Sequence, residues 1–589
     1  MLLLPAAPMM PRLHDARVGF INTSLLDYGR PEHEAVTRRY IHRFRLEKKD
    51  PNVAVSDPVK PIEFWIDPAT PSWLVPWVRA GVEAWLPAFE EAGFRNAIAA
   101  RMPPARQEEP SWSMHDARHS MIYWRPSTIA NATGGQTVDP RSGEIIKAEV
   151  NMFHNIMQLM RDWYFIQASP VDARARSLPF PDSLMGRLVQ NVVTHEVGHA
   201  IGFPHNMKSS SMYPADSVRS ASFIRRMGGH SASVMDYSRF NYVAQPEDKI
   251  PLEHIIPNVG PYDRFAVLWG HKPIPGARTP DEEKETLDRW ARAQDTVPWY
   301  RFSTTGATND PGDLTEAVGD ADAVKSTTYA LKNLERVMGW LIPTAEKPGQ
   351  DYSVLTSLYG EAVSQWSRYM GHVAAVVAAA ESQERFGTGA RFEPLARERQ
   401  REAVAFLSRN AFRVPKYFTN PDVLRRIESE GVVARIRGAQ SSVLNSLLGE
   451  RRLNRLIEYE ALARHSRDAY TVADLLSDVR VGVWGELLAP SVRIDVYRRN
   501  LQRAYLETVE RQISPSRAAA APGPIIIFEI PSVLSVPASS SDARPILRGE
   551  LLELRRAADS AIAHAADNIT RLHLRDVVFQ IDRMLDPKE

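Results

Sequence analysis

Residues 195–205 form a histidine-rich pattern that reads His195-Glu196-Val197-Gly198-His199-Ala200-Ile201-Gly202-Phe203-Pro204-His205. On a helix, His195 and His199 lie four residues apart and project from one face, so both imidazoles can bind one metal ion. Gly202 permits a sharp turn, which brings His205 back to the same ion as a third ligand. Glu196 stands beside the ligands, where a carboxylate can exchange protons with a metal-bound water. The pattern predicts a catalytic zinc site.

The predicted site implies a hydrolytic reaction. Three neutral imidazoles leave zinc an open position for water, and the metal lowers the pKa of that water towards neutrality. Glu196 then takes the proton of the water, the hydroxide attacks a carbonyl, and Glu196 returns the proton to the leaving amine. The 589 residues include no cysteine, which excludes thiolate zinc sites, cysteine nucleophiles and disulfides. We therefore expect Zn²⁺ as the cofactor, held by histidine side chains.

Composition limits the partners. A chain of this length folds into about two to four domains. The net charge of +1 gives no global argument for nucleic acid. No stretch approaches the roughly 20 consecutive apolar residues of a membrane-spanning helix. Residues 1–8 are apolar, but they lack a basic segment and contain prolines, which makes a poor signal peptide. We expect a protein or peptide substrate, no nucleic acid and no membrane span; the sequence leaves the oligomeric state undetermined.

Strand patterns precede the histidine motif. Runs of β-branched and aromatic residues predict strands at residues 18–21, 40–46, 61–67, 120–124 and 144–152. Apolar residues at helical spacing predict one helix over residues 71–93, with Gly93 at its C-terminal end. A second helix begins at about Asp182 and runs into the motif. Strands and a long helix before the active-site helix indicate an α/β layer.

The second half of the chain has a different pattern. Amphipathic helical runs occupy residues 352–385, 394–409, 432–464, 494–513 and 547–585. Residues 518–544 are rich in proline, alanine and serine, and we interpret them as a long loop or hairpin between helices. The predicted fold class is therefore α+β, with a mainly α-helical C-terminal region.

A second motif follows the zinc pattern and reads Ser233-Val234-Met235-Asp236-Tyr237. With the zinc pattern, it resembles the metzincins, in which a methionine-containing turn passes beneath the zinc. The resemblance implies that Met235 forms this floor. In astacins and serralysins, a tyrosine two residues later can bind zinc in the resting enzyme and then stabilise the tetrahedral intermediate. Tyr237 matches that position. Asn206, directly after the third histidine, differs from the residue usual in those subfamilies and places the chain outside them.

Further segments resemble large bacterial zinc-dependent metalloproteases whose catalytic part is called a Met-zincin or EcxA-like domain. These segments are residues 62–71, 81–85, 89–94, 139–145, 195–205 and 260–263. The resemblance covers about residues 12–345 and implies a zinc-dependent endopeptidase with a twisted mixed sheet and an active-site helix. It also implies export to the periplasm or the exterior, although the N-terminus has no convincing signal peptide. Within this plan, residues 143–152 are the edge strand of the cleft, and residues 262–268 form the helix that closes the domain.

The combined patterns predict four regions. Residues 1–55 are an N-terminal extension, which we interpret as a remnant of a larger N-terminal domain. Residues 56–275 are the metzincin-type catalytic domain, residues 276–350 a connecting segment, and residues 351–589 a helical C-terminal domain. Within the catalytic domain, the expected catalytic residues are Glu196 and Tyr237, and the expected structural residues at the site are Gly202 and Met235.

Two alternatives to a peptidase stay open at this stage. In the first, the chain is a catalytically silent scaffold that keeps the zinc site, with the helical half as its working part. In the second, it is a zinc amidase that cleaves a non-peptide amide. Three isolated histidines are weaker candidates for metal ligands: His154, His230 and His271. A calcium site is a further option, formed by Asn309, Asp310, Asp313, Glu316, Asp320 and Asp322. Such groups are more often ordinary surface or core residues.

Overall fold

The computed structural model describes residues 4–29, 31, 33–304, 310–314, 316–319, 322–463, 465, 468–514 and 536–586. The chain divides into two compact units. The first comprises Met1–Val337 with Ser382–Arg391, and the second comprises Met338–Glu381 with Phe392–Glu589. Within the described residues, no helix combines the length and the apolar character needed to cross a bilayer.

The described part of the first unit up to Val337 contains seven strands. They are β1 (Asn22–Asp27), β2 (Val36–Ile41), β3 (Ile62–Ile66), β4 (Ile98–Arg101), β5 (Ser120–Arg125), β6 (Ala132–Asp139) and β7 (Glu144–Phe153). Strands β1 and β2 pair with each other, and the other five form one sheet in the order β4-β3-β5-β7-β6. All neighbours in this sheet are parallel except β6, which is antiparallel to β7.

The position of β6 corrects one sequence prediction. Residues 143–152 were expected to form the edge strand, but β7 is paired on both sides, with β5 and with β6. The edge of the sheet is β6, joined to β7 by a tight turn in which Gly143 has φ +71°. The tight turn makes β6 an antiparallel neighbour of β7. Because β5 already pairs with the other side of β7, β6 is the outermost strand.

Ten helices begin in the described part of the first unit. They are α1 (Val75–Glu83), α2 (Leu86–Glu91), α3 (Ile156–Ala168), α4 (Asp182–Ala200), α5 (Ala215–Val218), α6 (Ala221–Met227), α7 (Pro261–His271), α8 (Lys284–Ala291), α9 (Ala293–Thr296) and α10 (Ala323–Ala345). The helix predicted over residues 71–93 is two helices, α1 and α2, which are separated at Ala84 and Trp85. Trp85 is fully buried, and its indole nitrogen donates to the Thr194 carbonyl at 3.0 Å, which fixes this break against α4.

The N-terminal segment is part of the first unit. The predicted strands at residues 18–21 and 40–46 are displaced, because the observed pair is β1 with β2. The Arg12 guanidinium is buried and forms a bidentate ion pair with Glu283. The buried Arg43 donates to the carbonyls of Met10 and Gly270. Buried guanidinium groups need such fixed partners, so these contacts bind the first fifty residues to α7 and α8.

The second unit is helical, as expected. Its helices after α10 are α11 (Ser353–Ala375), α12 (Arg397–Asn410), α13 (Pro421–Ile427), α14 (Val432–Leu448), α15 (Glu450–Leu462), α16 (Val472–Trp484), α17 (Val496–Ile513), α18 (Ala543–Ile562) and α19 (Asn568–Leu585). Two short strands, β8 (Ala380–Ser382) and β9 (Phe392–Pro394), pair between α11 and α12. The fold class, α+β with a helical C-terminal region, is confirmed.

Two of the long helical runs predicted in this unit are pairs of helices. The run over residues 432–464 divides at Gly449, which has extended backbone angles. The run over residues 547–585 divides at residues 563–567, where Val492 exchanges backbone hydrogen bonds with His564 and Ala566. The loop predicted over residues 518–544 falls mostly on residues 515–535, which lie outside the described residues, and α18 begins at its end.

Candidate metal centre

Helix α4 carries the first two histidines of the motif on one face. The rings of His195 and His199 lie 4.8 Å apart between centroids. Helix α4 packs against α1 on one side and against β6 and β7 on the other. The side chain of Val193 fills the space that a Cβ on Gly81 of α1 would occupy, 2.8 Å away, so the two helices are in close contact. The sheet and α1 thus fix the direction in which the two imidazoles point.

A glycine turn returns the third histidine. Helix α4 ends at Ala200, and Gly202 has φ +115°, a conformation that L side chains rarely adopt. A Cβ at Gly202 would lie 2.2 Å from the His42 carbonyl oxygen, so only glycine fits there. Phe203 then stacks on Trp85, with centroids 5.5 Å apart. Together these contacts bring His205 beside the other histidines, and the candidate ligand atoms of all three lie within 4.8 Å of one another.

Hydrogen bonds fix the tautomers of the two helical histidines. Nδ1 of His195 lies 2.7 Å from the Val234 carbonyl, and Nδ1 of His199 lies 2.7 Å from the Phe203 carbonyl. A carbonyl only accepts, so each Nδ1 carries the proton and each Nε2 has a lone pair. A hydrogen bond from the other ring nitrogen to a carbonyl commonly orients a metal-binding imidazole in this way.

The Nε2 atoms of the three histidines converge. Nε2 of His199 lies 3.1 Å from Nε2 of His205, and Nε2 of His195 is buried without a hydrogen-bond partner among the described residues. A buried nitrogen lone pair without a partner is costly, and a cation is a natural partner for it. An all-nitrogen set of three ligands suits zinc and leaves a fourth position open.

Burial keeps the three imidazoles neutral. It lowers the pKa of His195 and of His199, and together with the charges of His199 and Arg239 it lowers the pKa of His205 to about 4. Neutral imidazole is the form that binds a metal ion. The centre is therefore in its ligating protonation state at neutral pH.

Glu196 faces the pocket that contains His195. It lies next to the first ligand on α4 and is 8% exposed. Burial raises the pKa of its carboxyl to about 7, and the backbone N–H of Gly134 in β6 opposes this shift. His195, Glu196 and Tyr237 line one pocket, with apolar walls from Ile156 and Leu159. A carboxyl with a pKa near neutrality can both take and return a proton.

Met235 lies against α4 at Gly198, which stands between the two helical ligands in the sequence. A Cβ on Gly198 would lie 2.1 Å from the Met235 sulfur, so the methionine packs directly against the helix backbone. The turn that carries Met235 is held by Asp263 of α7, which accepts from the Ser233 hydroxyl at 2.5 Å and the Val234 N–H at 2.8 Å. Sequence reasoning assigned residues 262–268 to a structural helix and missed this specific role of Asp263.

The ring of Tyr237 lies against the histidines. Its centroid is 4.2 Å from that of His205 and 5.2 Å from that of His195. Burial raises the pKa of the Tyr237 phenol, so the hydroxyl is protonated at neutral pH and can donate. The structure thus brings together every residue that the sequence placed at the site: His195, Glu196, His199, Gly202, His205, Met235 and Tyr237.

The weaker sequence candidates lie elsewhere. Among the described residues, the three motif histidines are the one group of three or more side chains that can hold a metal ion. His154 is exposed, whereas His230 and His271 are buried and donate to backbone carbonyls through Nδ1. Of the calcium candidates, Asp310 and Asp313 face the buried Lys208 ammonium. Asn309 and Asp320 lie outside the described residues.

Sequence reasoning missed three residues near the centre. Gly134 lies on β6, which was not predicted as a strand because its sequence, ATGGQTVD, contains two glycines. Trp163 on α3 and Arg239 line the same pocket as Glu196. Arg239 stands two residues after Tyr237 and has φ +54°, which is uncommon for a residue with a side chain. Nothing in the sequence pattern alone indicates that α3 lies at the site.

Two family models match the chain. A model described as a domain of unknown function matches residues 1–49. The Met-zincin model matches residues 177–491, which is more than half of the chain and includes all three histidines and the Met235 turn. No curated protein and no solved structure matches the chain. The resemblance drawn from the sequence is confirmed by the extent of this match and by the convergence of the histidines: the protein belongs to the Met-zincin family, which indicates a metzincin-type metallopeptidase at the family level.

Proposed function

We propose that the chain is a zinc-dependent endopeptidase. The observation that carries this proposal is the convergence of three imidazole side chains beside a buried carboxyl, Glu196. Zinc bound by His195, His199 and His205 supplies a Lewis acid that polarises the substrate carbonyl and acidifies water. The reaction class is hydrolysis of a peptide bond.

Glu196 moves the protons in this proposal. Its carboxylate takes a proton from the attacking water and delivers it to the nitrogen of the leaving amine. The backbone N–H of Gly134 favours the ionised form of this carboxyl. Tyr237 is protonated and adjacent to His205. Its hydroxyl donates a hydrogen bond to the substrate oxygen on which negative charge develops.

The edge strand favours a peptide over a non-peptide amide. Strand β6 pairs with β7 on one side and is the last strand of the sheet on the other. It packs against α4, the helix that carries Glu196 and two ligands. A free strand edge binds an extended peptide through backbone hydrogen bonds. A small amide without a peptide backbone cannot form this series of backbone hydrogen bonds.

The test compares Glu196→Gln and Glu196→Ala with the unaltered protein on casein and on a peptide library. Both variants should lose about 100-fold or more of the hydrolysis rate, because loss of a general base costs about that factor. Both should keep one zinc ion per chain, measured by elemental analysis. A matched control is Glu90→Gln, since Glu90 is exposed on α2. A hydroxamate that chelates the metal should inhibit the unaltered protein.

Two results would overturn the proposal. Full hydrolysis by Glu196→Gln would show that this carboxyl is not the base. Repeated failure of the zinc-loaded, unaltered protein to cleave any library peptide would favour a binding protein that keeps the metal site.

A further inference from the structure

Arg239 has an unusual backbone conformation beside the centre. Its φ of +54° lies in the left-handed region, where residues other than glycine are uncommon. Such conformations persist when the surroundings fix them, and they are concentrated at functional sites. The strained residue follows Tyr237 by two positions.

The Arg239 guanidinium lies between two aromatic rings. Its central carbon is 4.0 Å from the centroid of Trp163 and 4.3 Å from the centroid of Tyr237. Both distances are within the range of cation–π attraction, and the planar guanidinium is well suited to stacking. Glu316 lies 3.6 Å from Nε of Arg239 and is 8% exposed. The guanidinium thus contacts two aromatic rings and one carboxylate.

The stack continues to the metal ligands. Tyr237 contacts both Arg239 and the ring of His205, whose centroid lies 4.2 Å from that of Tyr237 at an interplanar angle of 55°. Trp163, Arg239, Tyr237 and His205 therefore form a continuous series of contacts from helix α3 to the third ligand.

Arg239 lines the same pocket as His195 and Glu196. Its contacts with Trp163 and Tyr237 suit a role in holding the Tyr237 ring.

We propose that Arg239 is a positioning residue, which holds the Tyr237 hydroxyl at the reacting carbonyl oxygen through the stack Trp163–Arg239–Tyr237. This inference rests on the proposed endopeptidase function, since it assigns how one of the proposed catalytic groups is oriented. Arg239 itself does not touch the substrate in this role. Its effect on the reaction passes entirely through Tyr237.

A double-mutant cycle tests this dependence. Arg239→Ala and Tyr237→Phe should each lower kcat by roughly tenfold or more, with KM changed by less than about threefold, since loss of an oriented donor acts on the transition state. The double variant should be no slower than Tyr237→Phe alone. Multiplicative losses in the double variant would overturn the proposal, because they would mean that Arg239 acts independently of Tyr237.

Conservative variants separate stacking from charge. Trp163→Phe keeps an aromatic face and should retain most of kcat, whereas Trp163→Ala should resemble Arg239→Ala. Arg239→Lys keeps the charge without the planar group and should stay impaired; full activity in this variant would overturn the stacking argument. The control is Arg225→Ala, an exposed arginine of α6, which should have no effect. Zinc content should remain one ion per chain in all of these variants.

A second readout does not need activity. Fluorotyrosine incorporated at position 237 reports the environment of the ring by ¹⁹F NMR. In the zinc-loaded protein, its resonance should lie away from that of an exposed fluorotyrosine and should move towards it in Arg239→Ala but not in Arg225→Ala. An unchanged resonance in Arg239→Ala would overturn the positioning role. If the unaltered protein cleaves no peptide, the proposed function fails, whereas this measurement still decides whether Arg239 holds the ring.

Discussion

Nε2 of His199 and Nε2 of His205 lie 3.1 Å apart, at the distance of a hydrogen bond. Nδ1 of His199 donates to the Phe203 carbonyl, so Nε2 of His199 has no proton to give. His205 has its pKa lowered to about 4 and is neutral at pH 7. His205 can therefore donate to His199 through Nε2–H in the metal-free protein, and it frees both nitrogens for a cation when its proton lies on Nδ1 instead.

We expect the purified protein to bind one zinc ion per chain. We expect His199→Ala and His205→Ala each to weaken this binding by roughly 100-fold or more, because each removes one of three ligands. Competition with a chromophoric chelator measures the dissociation constant. Zinc at about 100 times that constant should also raise the free energy of unfolding by about 2.7 kcal/mol, and the two variants should lose this increase.

His154→Ala is the matched control for these variants. His154 is an exposed histidine of the same unit, packed edge-on against Trp124, and it does not join the cluster. Its replacement should leave both the zinc content and the dissociation constant unchanged. If His199→Ala and His205→Ala bound zinc as tightly as the unaltered protein, the ion would have to lie elsewhere.

The second prediction concerns two adjacent glycines of β6, Gly134 and Gly135. A Cβ on Gly134 would lie 2.2 Å from the Glu196 carbonyl oxygen and 2.9 Å from Cβ of His199. Gly134→Ala must therefore push the edge strand away from α4. We expect a loss of about 1–3 kcal/mol in the free energy of unfolding, as for other overpacked sites, and weaker zinc binding. Urea titration with and without zinc measures both effects.

Gly135→Ala provides the comparison on the same strand. A Cβ on Gly135 meets no heavy atom within 4 Å, so the change in unfolding free energy should stay within about 0.5 kcal/mol. Equal effects of the two substitutions would show that the loss of glycine itself matters, and not the contact with α4.

The ligands of the centre could be predicted from the sequence because their geometry is local. Spacings of four and six residues place His195, His199 and His205 within one helix and one turn. Helical periodicity and the conformational freedom of Gly202 then determine the arrangement almost without reference to the rest of the chain. The Met235 turn required more, namely a resemblance to a known family, because nothing local connects it to α4.

The edge strand and the Arg239 stack could not be predicted in this way. Which strand lies outermost depends on the pairing of β6 with β7, and the glycines of β6 hide its strand character. Arg239 and Trp163 are separated by 76 positions and meet because α3 packs beside α4. In the helical unit, periodicity located the helices, but it did not show the breaks at Gly449 and at residues 563–567. A break changes the direction of the chain without changing the apolar spacing.

His573 in α19 links the stability of the helical unit to pH. It is 6% exposed, its Nε2–H donates to the Gln502 side-chain carbonyl at 2.8 Å, and its ring stacks on Trp484. Burial, with the charges of Arg503 and Arg499, lowers its pKa to about 4 from an ordinary value of 6.5. The folded state therefore binds fewer protons than the unfolded state between these two values.

The sign of the effect follows from this difference. The stability associated with neutral His573 is fully present above pH 6.5 and is lost as the pH falls towards 4, by up to about 3 kcal/mol. We expect His573→Gln to be less stable at pH 7.5, because it loses the stacking, but to lose less stability than the unaltered protein between pH 7 and 4.5. His564→Gln, at an exposed histidine after α18, should follow the unaltered protein. Urea titrations at several pH values measure the slopes, and identical slopes for His573→Gln and the unaltered protein would contradict the prediction.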